Sequence, residues 1–219
     1  MNTNIIYLCS VRDADSKEFH VFARILPTDM KHRQQHLEAC ELLSAVCAEV
    51  YGIRNLRIRR DEHGKPKLIH PFLHMNLAHC KGLAVCAVGN VSLGVDAEPP
   101  RTAKPSIISR ICAENEMSQL AASDNPDALF SRFWTLKEAY GKWDGGGIRL
   151  PLETLGFSLG NDKIVFHHSD ADKVSIFQIL LDFHDMSQYA VSICTNQIGT
   201  PKITSNYNVL TSFLNPVSD

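Results

Sequence analysis

Trp134-Thr135-Leu136-Lys137-Glu138-Ala139-Tyr140-Gly141-Lys142, read together with Gly94-Val95-Asp96-Ala97-Glu98 upstream of it, decides how this chain is organised. Trp134, Glu138 and Lys142 recur at every fourth residue, so on a helix they stack along one face. Asp96 and Glu98 stand two apart, so on a strand both carboxylates leave the same side of the sheet, with Ala97 on the other. Three carboxylates and one ammonium on two rigid elements suit a hard divalent cation bound to a diphosphate. The ordinary alternatives are an exposed edge strand and a surface i,i+4 ion pair. The neighbours argue against both. Leu93-Gly94-Val95 is an apolar approach that ends at Pro99-Pro100, and Phe133, Leu136, Ala139, Tyr140 and Trp143 leave the helix apolar on most sides.

Working outward, residues 126–144 read as a helix opened by Asn125-Pro126 and closed by Gly145-Gly146-Gly147. A second helical pattern covers 105–122, and strands are expected near 154–159, 163–168, 174–183 and 188–195, with a polar, irregular tail from Asn196. In the first half, 4–11 and 18–26 alternate as strands. Thr28 is placed to cap a helix whose apolar stripe is Leu37, Cys40, Leu43, Cys47 and Val50, with Gly52 as its stop. Short strands follow near 56–60, 73–78, 83–88 and 91–98, and Pro99-Pro100-Arg101 is the best boundary. The expected fold is therefore α+β: a pseudo-twofold pair of subdomains, 1–99 and 100–219, each a helix on a small antiparallel sheet, with the site in the cleft between them.

These two segments, in this order, resemble the 4'-phosphopantetheinyl transferases, specifically the monomeric type that activates synthase carrier proteins. That family reads roughly G-[IV]-D-x-E and then [FW]-[ST]-x-K-E-[AS]-x-x-K; Gly64-Lys65-Pro66 and His74-Met75-Asn76-Leu77-Ala78-His79-Cys80 fit its upstream pattern. The resemblance implies transfer of 4'-phosphopantetheine from coenzyme A to a serine of an acidic apo carrier protein. It implies Mg2+ on Asp96, Glu98 and Glu138, Glu138 as base, and Lys142 on the diphosphate. It also carries His79, Lys65, Lys31 and Arg33 over to the nucleotide phosphates. Lys137 is expected off the shared face, Trp134 in the core, and Glu116 as a further acidic candidate. Lys104, Arg110 and Arg132 are candidates for steering the acidic partner. The chain departs from the family at Ala78, where a serine is usual, and at Leu37-Glu38-Ala39-Cys40-Glu41, where relatives carry an arginine. Two other readings stay open: a metal-dependent phosphodiesterase and a catalytically silent carrier-binding module.

Composition narrows the classes. Across 219 residues, 44% apolar and 21% charged residues are ordinary for a globular protein, and a net charge of −2 gives no global attraction for nucleic acid. Seven cysteines without a C-x-x-C pair argue for reduced, buried thiols and against a disulfide framework or a zinc finger. No apolar run is long enough to span a bilayer, and Met1-Asn2-Thr3-Asn4-Ile5-Ile6 has no signal-peptide pattern. The expectation is a cytoplasmic monomer that binds neither nucleic acid nor membrane.

Overall fold

The computed structural model describes residues 5–62, 64–160, 163–182, 188–199 and 202–205. The alternating N-terminal segments form β1 (Ile6–Arg12) and β2 (Glu18–Ile25), an antiparallel pair whose connection is tied by Asp13 accepting from the Lys17 amide at 2.9 Å. Helix α1 (His32–Val50) begins later than Thr28 suggested, with Lys31 at the cap position, and ends before Gly52 in the left-handed region at φ 70°. Its buried stripe is Ala39, Leu42, Leu43, Val46 and Cys47, rotated from the expected one, and Leu37 and Val50 are exposed. Both stripes have helical spacing. The sheet beneath the helix chooses between them, because Phe22, Cys86 and Val88 pack into the rotated one.

A small hairpin, β3 (Ile58–Arg60) with β4 (Pro66–Leu68), precedes β5 (His74–Cys80), β6 (Leu83–Gly89) and β7 (Leu93–Glu98). The expected helix over 105–122 is two helices, α2 (Pro105–Ile111) and α3 (Glu114–Ala121). Cys112 and Ala113 are extended between them, and the Glu116 side chain starts α3 afresh by accepting from the Ala113 amide at 2.8 Å. Helix α4 (Pro126–Asp144) begins with the Asn125 side chain accepting from the Ala128 amide and ends on Gly145 at φ 94°. The hairpin β8 (Gly156–Leu159)–β9 (Ile164–His167) and strands β10 (Val174–Asp182), β11 (Gln188–Asn196) and β12 (Lys202–Ser205) complete the order. β12 is a strand inside the stretch read as irregular tail; residues 206–219 of that tail lie outside the described ones, as do residue 4 of the first expected strand and 183 of a later one.

The strands build a five-stranded sheet, β12-β1-β2-β6-β5, and a three-stranded sheet, β10-β11-β7. Residues alternate faces along each strand. On β6, Ala84, Cys86 and Val88 meet α1, while Leu83, Val85 and Ala87 join a central core with Val95, Ala97, Val191 and Ile193 of the second sheet. The outer face of the second sheet is covered by α4, whose Phe133, Leu136, Ala139 and Tyr140 form a third core with Phe157, Phe166 and Ile176. The layers are therefore helix, sheet, sheet, helix. Each half also lends a strand: β7 pairs with β11 and β12 pairs with β1. Among the described residues, no helix is long and apolar enough to cross a membrane.

Candidate active site

Gly94 sets the distance between β7 and α4. A Cβ there would collide with the backbone of Ala139 and Trp143, so only glycine lets the helix lie this close to the strand. The close approach puts Asp96 and Glu98, both on the α4 side of β7, opposite Glu138 and Lys142. Lys142 Nζ donates to Asp96 Oδ1 at 2.8 Å and Val95 O at 2.8 Å, with a longer contact to Leu77 O at 3.5 Å. β5 is tied to the same strand by Asn76, whose buried Oδ1 accepts from the Val95 amide at 2.9 Å.

Burial dominates the electrostatics. It raises the Asp96 carboxyl, which Lys142 opposes, and it raises Glu138, with Asp96 adding to the effect. Glu98 is pushed up to about 7 by burial first and the Asp96 charge second, against Arg101 and Lys142. Three carboxyls that resist ionisation together are short of positive charge. The unmet hydrogen bonds agree. Among the described residues four buried side-chain polar atoms lack a partner, and three of them are Asp96 Oδ2, Glu138 Oε1 and His79 Nδ1. The oxygen donor chemistry fits a hard divalent cation. As the side chains stand, however, no three His, Cys, Asp or Glu groups among the described residues are gathered tightly enough to chelate one, and Lys142 occupies Asp96 Oδ1.

His79, on the α1 side of β5 and close enough to feel the Lys142 charge, has two neighbours that the sequence reading did not single out. The rings of His32 and His36, one turn apart on α1, stand edge-on to it at centroid distances of 4.7 and 5.5 Å. Burial first, and then these two imidazoles, lower the His79 pKa to about 4, so its ring is neutral at pH 7. Their i,i+4 spacing at the start of a helix was the available signal. Lys31 and Arg33 are exposed beside His32 at that helix start. Lys65 lies toward the other end of β7, its Nζ donating to Trp143 O at 3.3 Å and Leu93 O at 3.4 Å.

Lys137 is fully buried, and its Nζ meets Glu116 Oε2 at 2.7 Å, Ile111 O at 2.9 Å and Leu152 O at 2.8 Å. Glu116 in turn accepts from the amides of Ala113 and Phe157, so this acid is a structural anchor away from the cleft. Two acids of α1 hold Arg24 of β2, Glu38 at 2.8 Å and Glu41 at 3.7 Å. Trp134 is half-buried, stacked near Phe130 with the Arg101 guanidinium 5.7 Å above its ring. Of the three basic residues expected to steer a partner, Lys104 and Arg110 are exposed on or beside α2. Arg132 is half-buried, and its Nε donates to Gln178 Oε1 at 2.6 Å.

An acidic strand end and an acid–lysine helix face thus meet in a two-sheet α+β fold, with an imidazole cluster on the neighbouring strand and helix. The family model of the 4'-phosphopantetheinyl transferase superfamily matches residues 92–194, the span from β7 through α4 to β11. The 4'-phosphopantetheinyl transferase Sfp of Bacillus subtilis (strain 168) is 30% identical over 126 residues, 55% of this chain and 56% of that protein. HetI of Nostoc sp. (strain PCC 7120) is 30% identical over 140 residues, 59% of each, and psf-1 of Bacillus pumilus is 25% identical over 177 residues, 78% and 73%. The chain thus spans little more than half the length of Sfp and HetI. A solved holo-[acyl-carrier-protein] synthase of Thermotoga maritima is only loosely alike, at TM-score 0.37 and 21% identity over 50% of this chain and 64% of that one.

Proposed function

We propose that this protein transfers 4'-phosphopantetheine from coenzyme A to a serine of an acidic apo carrier protein, releasing adenosine 3',5'-bisphosphate. The observation that carries this reading is the orphaned trio, Asp96 Oδ2, Glu138 Oε1 and His79 Nδ1, of which Asp96 and Glu138 lie in the span that the family model matches. In this reading Asp96, Glu98 and Glu138 hold Mg2+, which when bound supplies positive charge to the diphosphate. The serine oxygen bonds to the β-phosphorus, its proton passes to Glu138, and the phosphoanhydride oxygen leaves with the nucleotide. Lys142, held by Asp96 without the ion, would meet the phosphates once the carboxylates were occupied. His79, with Lys31 and Arg33, holds the nucleotide, and positioning with fixed charge does most of the work. The enzyme acts in this reading as a cytoplasmic monomer.

Intact mass of an apo carrier after incubation with coenzyme A and magnesium tests the reading. A gain of one phosphopantetheine group supports it, and an unchanged carrier with hydrolysed coenzyme A would point to a phosphodiesterase. Lys142→Ala should lower turnover about 30- to 1000-fold, the ~2–4 kcal/mol of one contact that strengthens in the transition state, while leaving magnesium dependence intact. Unchanged turnover would return Lys142 to a structural ion pair.

The raised Glu98 carboxyl sets a pH dependence. Its folded pKa of about 7 lies above the ordinary glutamate value of 4.5, so the ion-free folded state binds the extra proton. Stability without magnesium should therefore fall as pH rises from about 4.5 through 7. Magnesium must displace that proton, so its affinity should rise across the same window and level off above it. Titration calorimetry in buffers of different ionisation enthalpy checks this, and magnesium affinity flat from about pH 6 to 8 would sink it.

A further inference from the structure

Across the α4 side of the second sheet, Gln178, Ser192 and Asp96 stand in one row, because Gln178 pairs with Ser192 and Ser192 with Asp96. Above that row Thr135 of α4 lies three residues before Glu138 and seven before Lys142, on the same helix face. Thr135 Oγ1 and Ser192 Oγ are 2.8 Å apart, and Gln178 Nε2 donates to Ser192 Oγ at 2.9 Å and to Arg132 O at 3.1 Å. Arg132 Nε donates to Gln178 Oε1 at 2.6 Å, which turns the amide nitrogen toward the two hydroxyls. Thr135 Oγ1 in turn donates to Arg132 O at 3.0 Å, so the hydrogen shared between the hydroxyls comes from Ser192. Thr135, Gln178 and Ser192 are fully buried, and each has its hydrogen bonds met.

This polar chain does what the apolar contacts around it do not. Phe133, Leu136, Ala139 and Tyr140 hold α4 against its neighbours, but apolar contact is non-directional and leaves the helix free to slide by small amounts. A satisfied network of buried hydrogen bonds is directional and selects one arrangement. It acts here at the level of the carboxylates, since Ser192 is the cross-strand neighbour of Asp96 and Thr135 precedes Glu138 by one turn. Lys142 is a second link at this level, through Val95 O and Asp96, but the reaction proposed above calls it to the phosphates. We propose that Thr135, Ser192 and Gln178 are positioning residues that set the separation of Asp96 and Glu138, and with it the fit of the cation between them. The inference rests on the transfer reading above and adds residues to which that reading gives no role.

The test uses the full chain and compares Thr135→Val, which keeps the side-chain shape without the hydroxyl, with Thr135→Ser, which keeps the hydroxyl. Thr135→Val and Ser192→Ala should each weaken magnesium binding by calorimetry, and lower kcat at saturating magnesium, by about 10- to 100-fold, as loss of a partner behind a metal ligand does. KM for coenzyme A should stay within about twofold of the parent, since neither side chain meets the nucleotide. Thr135→Ser should recover most of both losses. The double variant should lose little more than the worse single one, because both changes remove the same hydrogen bond. Magnesium affinity and kcat unchanged in Thr135→Val, or losses that Thr135→Ser does not recover, would overturn the proposal. So would lowered stability to urea with kcat and magnesium affinity intact, which would make the network structural only. A parent protein that neither binds magnesium nor modifies an apo carrier would instead overturn the transfer reading, and this inference with it.

Discussion

Asp96→Asn and Glu138→Gln should each reduce transfer to below about 1% of the parent rate at saturating magnesium, with the fold retained. Removing a single electrostatic donor from a comparable site already costs about 100- to 1000-fold, and here each change removes one of the three carboxylate charges that would hold the cation against the diphosphate. The amide variants keep the volume of the side chain, and the carboxamide oxygen introduced at position 96 can still accept from Lys142, so packing against β5 and α4 is preserved. Phosphopantetheinylation followed by mass, together with magnesium binding by calorimetry, should fall in parallel. A variant that kept more than a few per cent of activity would not have lost a ligand. In the case of Asp96, that residue would then belong to the ion pair with Lys142 alone.

The second large effect is on stability and lies outside the cleft. Lys137→Ala should destabilise the protein by about 3–5 kcal/mol, because it leaves Glu116 charged and sealed from water beside two carbonyls that have lost their donor. Burial drives Glu116 up and Lys137 down toward their neutral forms, and each is held charged chiefly by the other. Exchanging both, as Lys137→Met with Glu116→Gln, should cost less than the sum of the single changes, since neither charge is then stranded. Urea unfolding of the parent, both single variants and the double variant measures this coupling. A single variant within about 1 kcal/mol of the parent would mean that water reaches the pair.

What was legible follows from the range of each signal. The two faces of β7 and the length of α4 come from short periods and from caps at Asn125 and Gly145, all local, and they appear as expected. The partner of Lys137 was not legible, because Glu116 lies on another helix and only the tertiary fold brings the two together. The stripe of α1 was ambiguous for a related reason: two helical registers were apolar, and the sheet chose. His32 and His36 drew no notice in the sequence, because only the placement of β5 beside α1 brings their rings to His79. Lys142 shows the limit of motif reading. Its position is fixed by the helix, but its hydrogen bonds to Asp96 and two strand carbonyls depend on the Gly94 approach.

The exchange of strands between the halves bears on how the chain acquires its site during synthesis. Asp96 and Glu98 emerge early, but β7 has no neighbour in its own sheet until β11, nearly a hundred residues later, leaves the ribosome. Until then an apolar strand edge with two acids is exposed, and folding must wait for a contact between distant parts of the sequence. The carboxylate face should accordingly be among the last regions to gain protection from hydrogen exchange during refolding, after the paired hairpins β1–β2 and β5–β6, which the first half supplies alone. A nascent chain of this protein would then have four of the five strands of its larger sheet well before its carboxylate face was complete.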